Sequence, residues 1–211
     1  WVALVGLAMG AAGCGDSPAR PGAPERPRET TVRTVDPAAL DRAQSQCDEG
    51  EVSAGLATVD SLLSDAETAD ALVVRALCRW VEFHATGDAA VGELVETDLT
   101  NALAQARAER AESFVLARIY SHRAALRRAL GEDHWPSTLE DLNAAIDADT
   151  SQSLYVLDRA VARMRHGDTA AAVRDLDRFL QLDTVNVARG DLARQLREEM
   201  RPSSETLTSA E

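Results

Sequence analysis

From Asp36 to about Met200 the apolar positions recur at intervals of three and four residues, the spacing that gathers them on one face of an α-helix. Asp36-Pro37 opens this stretch as an N-cap followed by proline at the first helical position. The pattern predicts a run of helices over residues 36–200, punctuated by glycine turns. The flanks read differently. Trp1 to Ala12 is apolar and uncharged, with the length of a signal-peptide core rather than of a span of about 20 residues. Residues 15–35 hold four prolines and no apolar run, the composition of a disordered, solvated tether, and residues 201–211 read as a disordered tail.

Self-comparison adds a period to the helices. Asp141-Leu142-Asn143-Ala144-Ala145-Ile146 and Asp175-Leu176-Asp177-Arg178-Phe179-Leu180 lie 34 residues apart, each followed by Asp-Thr, at Asp149-Thr150 and Asp183-Thr184. Upstream, Arg123-Ala124 and Arg159-Ala160 begin matching stretches that end at Gly131 and Gly167. A 34-residue unit of helix, glycine turn and helix resembles the tetratricopeptide repeat. The match is best over residues 153–184, with Ala160 at the small position of the first helix and Ala172, Leu176 and Phe179 at the packing positions of the second. Arg163 stands where the family usually has Tyr, and Thr150 and Thr184 where Pro usually closes the repeat. A more degenerate copy carries Arg75-Ala76, Gly87-Asp88 and Asp98-Leu99, and the faintest covers residues 37–66. The resemblance implies an all-α fold, a short right-handed superhelix (α-solenoid) of about four helical hairpins, with a C-terminal cap helix at Asp191–Met200 hiding the last apolar face.

Charge and composition narrow the function. The 211 residues include 22 Arg and no Lys against 35 acids, a net charge of −13, which disfavours nucleic acid as a partner. The acid excess lies in residues 36–201, so a partner with a basic or mixed apolar and basic segment is expected. His84, His122, His134 and His166 are scattered, and no HExxH, Cys-x-x-Cys or Gly-x-Ser-x-Gly occurs. The carboxylates form no pair suited to acid and base work, so the expectation is a protein without catalysis, cofactor or metal.

Three constellations remain. Arg-Ala-x-x-Arg recurs at Arg75/Arg79, Arg123/Arg127 and Arg159/Arg163, and each copy is followed by an Asp in the next helix, namely Asp98, Asp141 and Asp175. Ion pairs Arg75–Asp98, Arg123–Asp141 and Arg159–Asp175 inside the hairpins account for the first Arg of each copy and leave Arg79, Arg127 and Arg163 open. Cys47 and Cys78 fall near the first helices of adjacent hairpins, where they either form a disulfide or serve as small apolar residues. Finally, Ala11-Ala12-Gly13-Cys14 resembles the lipobox of bacterial lipoproteins, which implies a lipid on Cys14. An ordinary cleaved signal or a signal anchor are the alternatives.

The tetratricopeptide resemblance further implies a concave groove lined by first helices. On this alignment the groove includes Val73, Leu77, Trp80 and Val81, then Arg118, Ser121 and Arg128, then Leu157, Val161, Met164 and Arg165. Trp80 and Met164 are its candidate anchors, with burial in the core as the competing reading for both. Together the two resemblances imply a lipid-anchored scaffold or adaptor of the bacterial cell envelope, facing the periplasm, with the outer membrane favoured over the inner. Its partner would be another protein or a peptide segment, in an envelope complex, and the membrane would be reached through the lipid. A regulatory or ligand-binding accessory module of a cell-wall enzyme is the alternative.

Overall fold

The computed structural model describes residues 35–183 and 185–200. Cys14 with its apolar leader, the tether up to residue 34 and the tail 201–211 lie outside the described residues.

Helices pair in sequence. α1 (Pro37–Asp48) and α2 (Val52–Asp65) form the first hairpin, α3 (Ala69–Thr86) and α4 (Ala89–Ala108) the second, α5 (Ser113–Leu130) and α6 (Trp135–Ala148) the third, α7 (Ser153–Arg165) and α8 (Thr169–Leu182) the fourth. A last helix, α9 (Val187–Glu199), packs on α8, so the described residues form an all-α solenoid of four hairpins and a cap. Asp36 caps α1 by accepting from the Ala38 amide at 3.1 Å, and Thr68, Asp88 and Asp168 cap α3, α4 and α8 in the same manner. Gly87 ends α3 with φ of +66°, a left-handed conformation that costs a side-chain-bearing residue strain and glycine none. Between α5 and α6 the chain is longer, with Gly131 followed by a single 3-10 turn over Glu132–His134.

Small residues set the close crossings within hairpins. Ala43, Ala76, Ala124 and Ala160, one on each first helix, are no more than 1% exposed. The α1–α2 crossing is tighter still, because Gly55 on α2 lies where an added Cβ would stand 2.1 Å from Cys47 Sγ and 2.7 Å from the Ala43 carbonyl oxygen. Larger side chains fill the layers between helices: Leu72, Leu99, Ile119 and Leu126 in the middle of the stack, Ile146, Val156, Leu176 and Phe179 toward its end. Each cluster touches only its neighbours, as expected where stability is a sum of repeat and interface contributions. Cys47 and Cys78 are joined by a disulfide with Cα atoms 5.2 Å apart, which ties α1 directly to α3.

Two expectations change here. Val73 is 4% exposed and belongs to the core cluster, so it does not line a groove. The cap helix starts at Val187 rather than Asp191, because Asn186 accepts from the Arg189 amide and nucleates an earlier turn. Gly190, Ala193, Leu196 and Met200 cover the last hairpin, while Val187 and Leu192 face solvent and leave the cap partly apolar outside.

Candidate functional site

The Arg-Ala-x-x-Arg copies build one repeated device. Arg75 donates through Nε and Nη2 to Asp98, at 2.7 Å for the latter, and Arg79, one turn on, donates to the other carboxylate oxygen. Arg123 and Arg127 close on Asp141 in the same arrangement, at 2.7 and 2.9 Å, and Arg159 and Arg163 on Asp175, both at 2.7 Å. The spacing of four residues places both guanidiniums on the α-helix face that meets the partner helix, so each carboxylate is held by two cations. The Arg left unassigned by sequence, Arg79, Arg127 and Arg163, are therefore the second arms of the same clamps.

A third contact runs from hairpin to hairpin. The remaining Nη1 of Arg75 donates to Asp60 on α2, that of Arg123 to Thr100 on α4, and that of Arg159 to Asn143 on α6. Thr100 and Asn143 each lie two residues beyond the clamped Asp of their own helix, and Asp60 holds the matching place on α2. Arg127 adds a bond to Glu96 at 2.8 Å. Burial lowers the Arg75 pKa, but Asp98 and Asp60 outweigh it and leave the group above its ordinary value. For Arg123 the hydrogen bond to Asp141 is the largest influence, opposed by burial and aided by Glu96, and its pKa is raised as well. These guanidiniums stay charged and are occupied, so the ladder is a fastener and no ligand site. The sequence also holds a copy that the charged motif does not reveal: Arg42-Ala43-Gln44-Ser45-Gln46 on α1 keeps the first Arg, and Gln46 accepts from the Thr58 hydroxyl at 3.2 Å in place of the ion pair. Its buried alanine is the signal the sequence offers.

The first helices share a second face, and two cavities open between them. One, of about 100 Å³ between α3 and α5, is lined by Ala76, Leu77, Trp80, Val95, Leu99, His122 and Ala125. Trp80 is half-buried, packed on the core with its ring against Phe83 and His84, so it serves both as core and as cavity wall. Burial first, and the Arg118 charge second, hold the His122 imidazole below its ordinary pKa, which keeps this cavity apolar in character. The other cavity, of about 60 Å³ between α5 and α7, is walled by Arg128, Gly131, Glu132, Trp135, Thr138, Ala162, Arg165 and His166, so it carries charges of both signs. Trp135 stacks on His166 with ring centroids 4.3 Å apart, and His166 Nδ1 lies 3.3 Å from Glu132. Of the remaining groove candidates, Val81 is half-buried on α3, Val161 and Met164 are half-buried on α7, Leu157 packs against the last core cluster, and Ser121 is half-buried on α5. Arg118 is exposed and pairs with Asp70 at 3.2 Å. Among the described residues no cluster of His, Cys, Asp or Glu could hold a metal ion, and no helix is long and apolar enough to cross a membrane.

Four stacked hairpins with small residues at their crossings define a tetratricopeptide-like helical-repeat fold. No protein-family model and no curated protein matches the chain. Among solved structures it is similar to the crystal structure of the APC/C hetero-tetramer Cut9-Hcn1, with a TM-score of 0.63 at 13% identity over 78% of this chain. It is also similar to the crystal structure of MamA protein, with a TM-score of 0.54 at 11% identity over 77% of this chain and 84% of that one. The chain spans 29% of the length of the Cut9-Hcn1 chain it matches.

Proposed function

We propose that the chain is a non-catalytic scaffold whose first-helix face takes a segment of a protein partner, and that a lipid on Cys14 holds it to the bacterial cell envelope. The observation that carries the binding reading is the cavity beside Trp80, a largely apolar recess of about 100 Å³ between α3 and α5. Partner anchors are typically large apolar groups seated in such recesses. The similarly folded Cut9-Hcn1 structure is a hetero-tetramer, which is consistent with an assembly role here.

Crosslinked capture from envelope fractions, comparing wild type with Trp80→Ala and Met164→Ala combined, tests the groove. Partners present with wild type and lost from the variant are expected, and identical partner sets would remove the groove from the reading. The anchor is tested separately by Cys14→Ala, which should move the protein from the membrane to the soluble fraction and abolish labelling by a fatty-acid analogue. Unchanged fractionation and labelling would refute it.

A further inference from the structure

The last helix keeps the period of the repeat without completing a hairpin. α9 begins at Val187, 34 residues after α7 begins at Ser153. Arg197 stands 34 residues after Arg163 and pairs with Asp177 at 2.7 Å. Asp177 lies two residues beyond the clamped Asp175, the acceptor place that Thr100 and Asn143 hold on α4 and α6. α9 is thus the first helix of a fifth hairpin, keyed to the stack by an arginine as the earlier hairpins are. Among the described residues no second helix follows it.

Its sequence changes where a second helix would cross. Ala160 holds the close α7–α8 crossing, and 34 residues later stands Arg194, whose side chain is 57% exposed. A second helix packed as in the other hairpins needs an alanine there, because side chains at the contact set how closely helices approach. Val187, Gly190, Asp191 and Arg194, spaced i, i+3, i+4 and i+7, share this face of α9. Arg194 donates to Asp191 at 2.6 Å in a pair open to solvent, and such pairs are weak enough to exchange partners at little cost. The same guanidinium lies 3.4 Å from where a Cβ on Gly190 would stand. Swung aside, it bares the backbone for a close helix approach.

Two further observations say what covers this end. Three of the six large apolar side chains exposed among the described residues, Leu182, Val185 and Val187, sit at the turn from α8 to α9. Charge is also graded along the stack: residues 36–109 hold 15 acids and four Arg, whereas residues 151–200 hold eight of each. Two copies therefore repel through their first two hairpins and meet without net repulsion at the last hairpin and its cap. The α9 face is complementary to itself as well, because a two-fold axis sets Arg194 of each copy against Asp191 of the other.

We infer that this end of the solenoid is a self-association surface, on which α9 packs against α9 of a second copy about a two-fold axis. Gly190 lets the two backbones approach, Asp191 and Arg194 pair reciprocally, and Val185 and Val187 are withdrawn from water. The surface is separate from the first-helix face, so a dimer would carry two such faces and hold its acidic hairpins apart.

Sedimentation equilibrium of the full chain over about a hundredfold range of concentration tests it, with a single monomer–dimer equilibrium expected. Val187→Asp should weaken the dimer by about tenfold without loss of helix by circular dichroism, since an acid in the first turn suits the helix dipole. Leu192→Glu, about 140° around α9 from Val187, should leave the dimer unchanged. Asp191→Arg and Arg194→Asp should each dimerise poorly alone and form a mixed dimer when combined, as a two-fold contact through these residues requires. A monomer throughout, growth past two copies as in head-to-tail stacking, a dimer that Val187→Asp leaves intact or Leu192→Glu abolishes, or no gain on mixing the two charge variants would each overturn the inference.

Discussion

The Arg–Asp ladder makes a sharp stability prediction at Asp175. Its carboxylate is 3% exposed and accepts three charge-assisted bonds, from Arg159 Nε at 2.9 Å, Arg159 Nη2 at 2.7 Å and Arg163 Nη1 at 2.7 Å. Asp175→Asn keeps the shape and one acceptor but leaves two guanidiniums, with side chains 13% and 18% exposed, facing each other without a counterion. Removing one partner of a buried ion pair costs about 3–5 kcal/mol, mostly as the penalty on the charge left behind. The retained amide oxygen and residual solvent access to the Arg put the expectation at the lower end, about 3 kcal/mol. For a domain of this size that is a fall in melting temperature of about 6–12 °C.

Thermal and urea melts by far-UV circular dichroism would measure the loss, and hydrogen exchange would locate it. Because repeats contact only neighbours, exchange should accelerate in α7, α8 and α9 before α1–α4. A companion variant separates pairing from packing. Replacing the whole clamp with apolar residues, Arg159→Met, Arg163→Met and Asp175→Leu, should restore most of the loss, since no buried charge is then left uncompensated. If Asp175→Asn melted within about 1 °C of wild type, or the apolar clamp melted below the Asn variant, the energetic account of the ladder would be wrong.

Other consequences are equally direct. Gly55→Ala should cost about 2 kcal/mol or more in a chemical melt, because its Cβ overlaps Cys47 Sγ and the Ala43 carbonyl; an unchanged midpoint would contradict the close crossing. The Cys47–Cys78 bond closes a loop of sequence separation 31, so its reduction should lower stability by about 3–4 kcal/mol, read by melts with and without a thiol reductant. Two freely reactive thiols at these positions in the unreduced, denatured protein would contradict the disulfide. His122 has its folded pKa below the ordinary 6.5, so its stabilisation is present above that value and is lost as pH falls through the folded pKa. His122→Gln should flatten the acid side of the stability profile below about pH 6.5, and an unchanged profile would argue against burial as the cause.

The repeat itself is legible because its signals are local and periodic. Capping residues, glycine turns and the alanines at helix crossings are each dictated by the geometry of a single hairpin. Arg159 and Asp175 can be paired from the sequence by their recurrence. The second arm is harder: Arg163 reads as a departure from the family's Tyr until the structure shows that it shares Asp175 with Arg159. The α1 copy escapes the sequence motif because Gln46 and Thr58 stand where the second Arg and the Asp of the clamp would be, so only Arg42-Ala43 and the Gln46–Thr58 bond remain. Val73 goes astray because a shift of one position rotates a residue on an α-helix by about 100°, enough to take it from a groove face into the core. The α9 start is hidden because Asn186, an ordinary surface residue by composition, acts as its cap.

The net charge of −13 points toward a basic partner, and the ladder changes that argument. It binds Arg75, Arg79, Arg123, Arg127, Arg159 and Arg163 to carboxylates inside the hairpins, where they do not shape the surface field. On the proposed binding face, what a partner would meet is then set by the positions that vary between repeats. On the first-helix face these are Trp80, Arg128 and Met164, with Arg165 beside them and the neutral His122 between. Constant positions in a solenoid are committed to stacking, so under the proposed function recognition would fall to the variable ones, and here those are apolar at one step and cationic at the next. A segment spanning both steps would place an apolar side chain by Trp80 and an acidic group by Arg128, despite the acidity of the protein as a whole. Local sign on the contact face, rather than the total, governs which partner is steered and held.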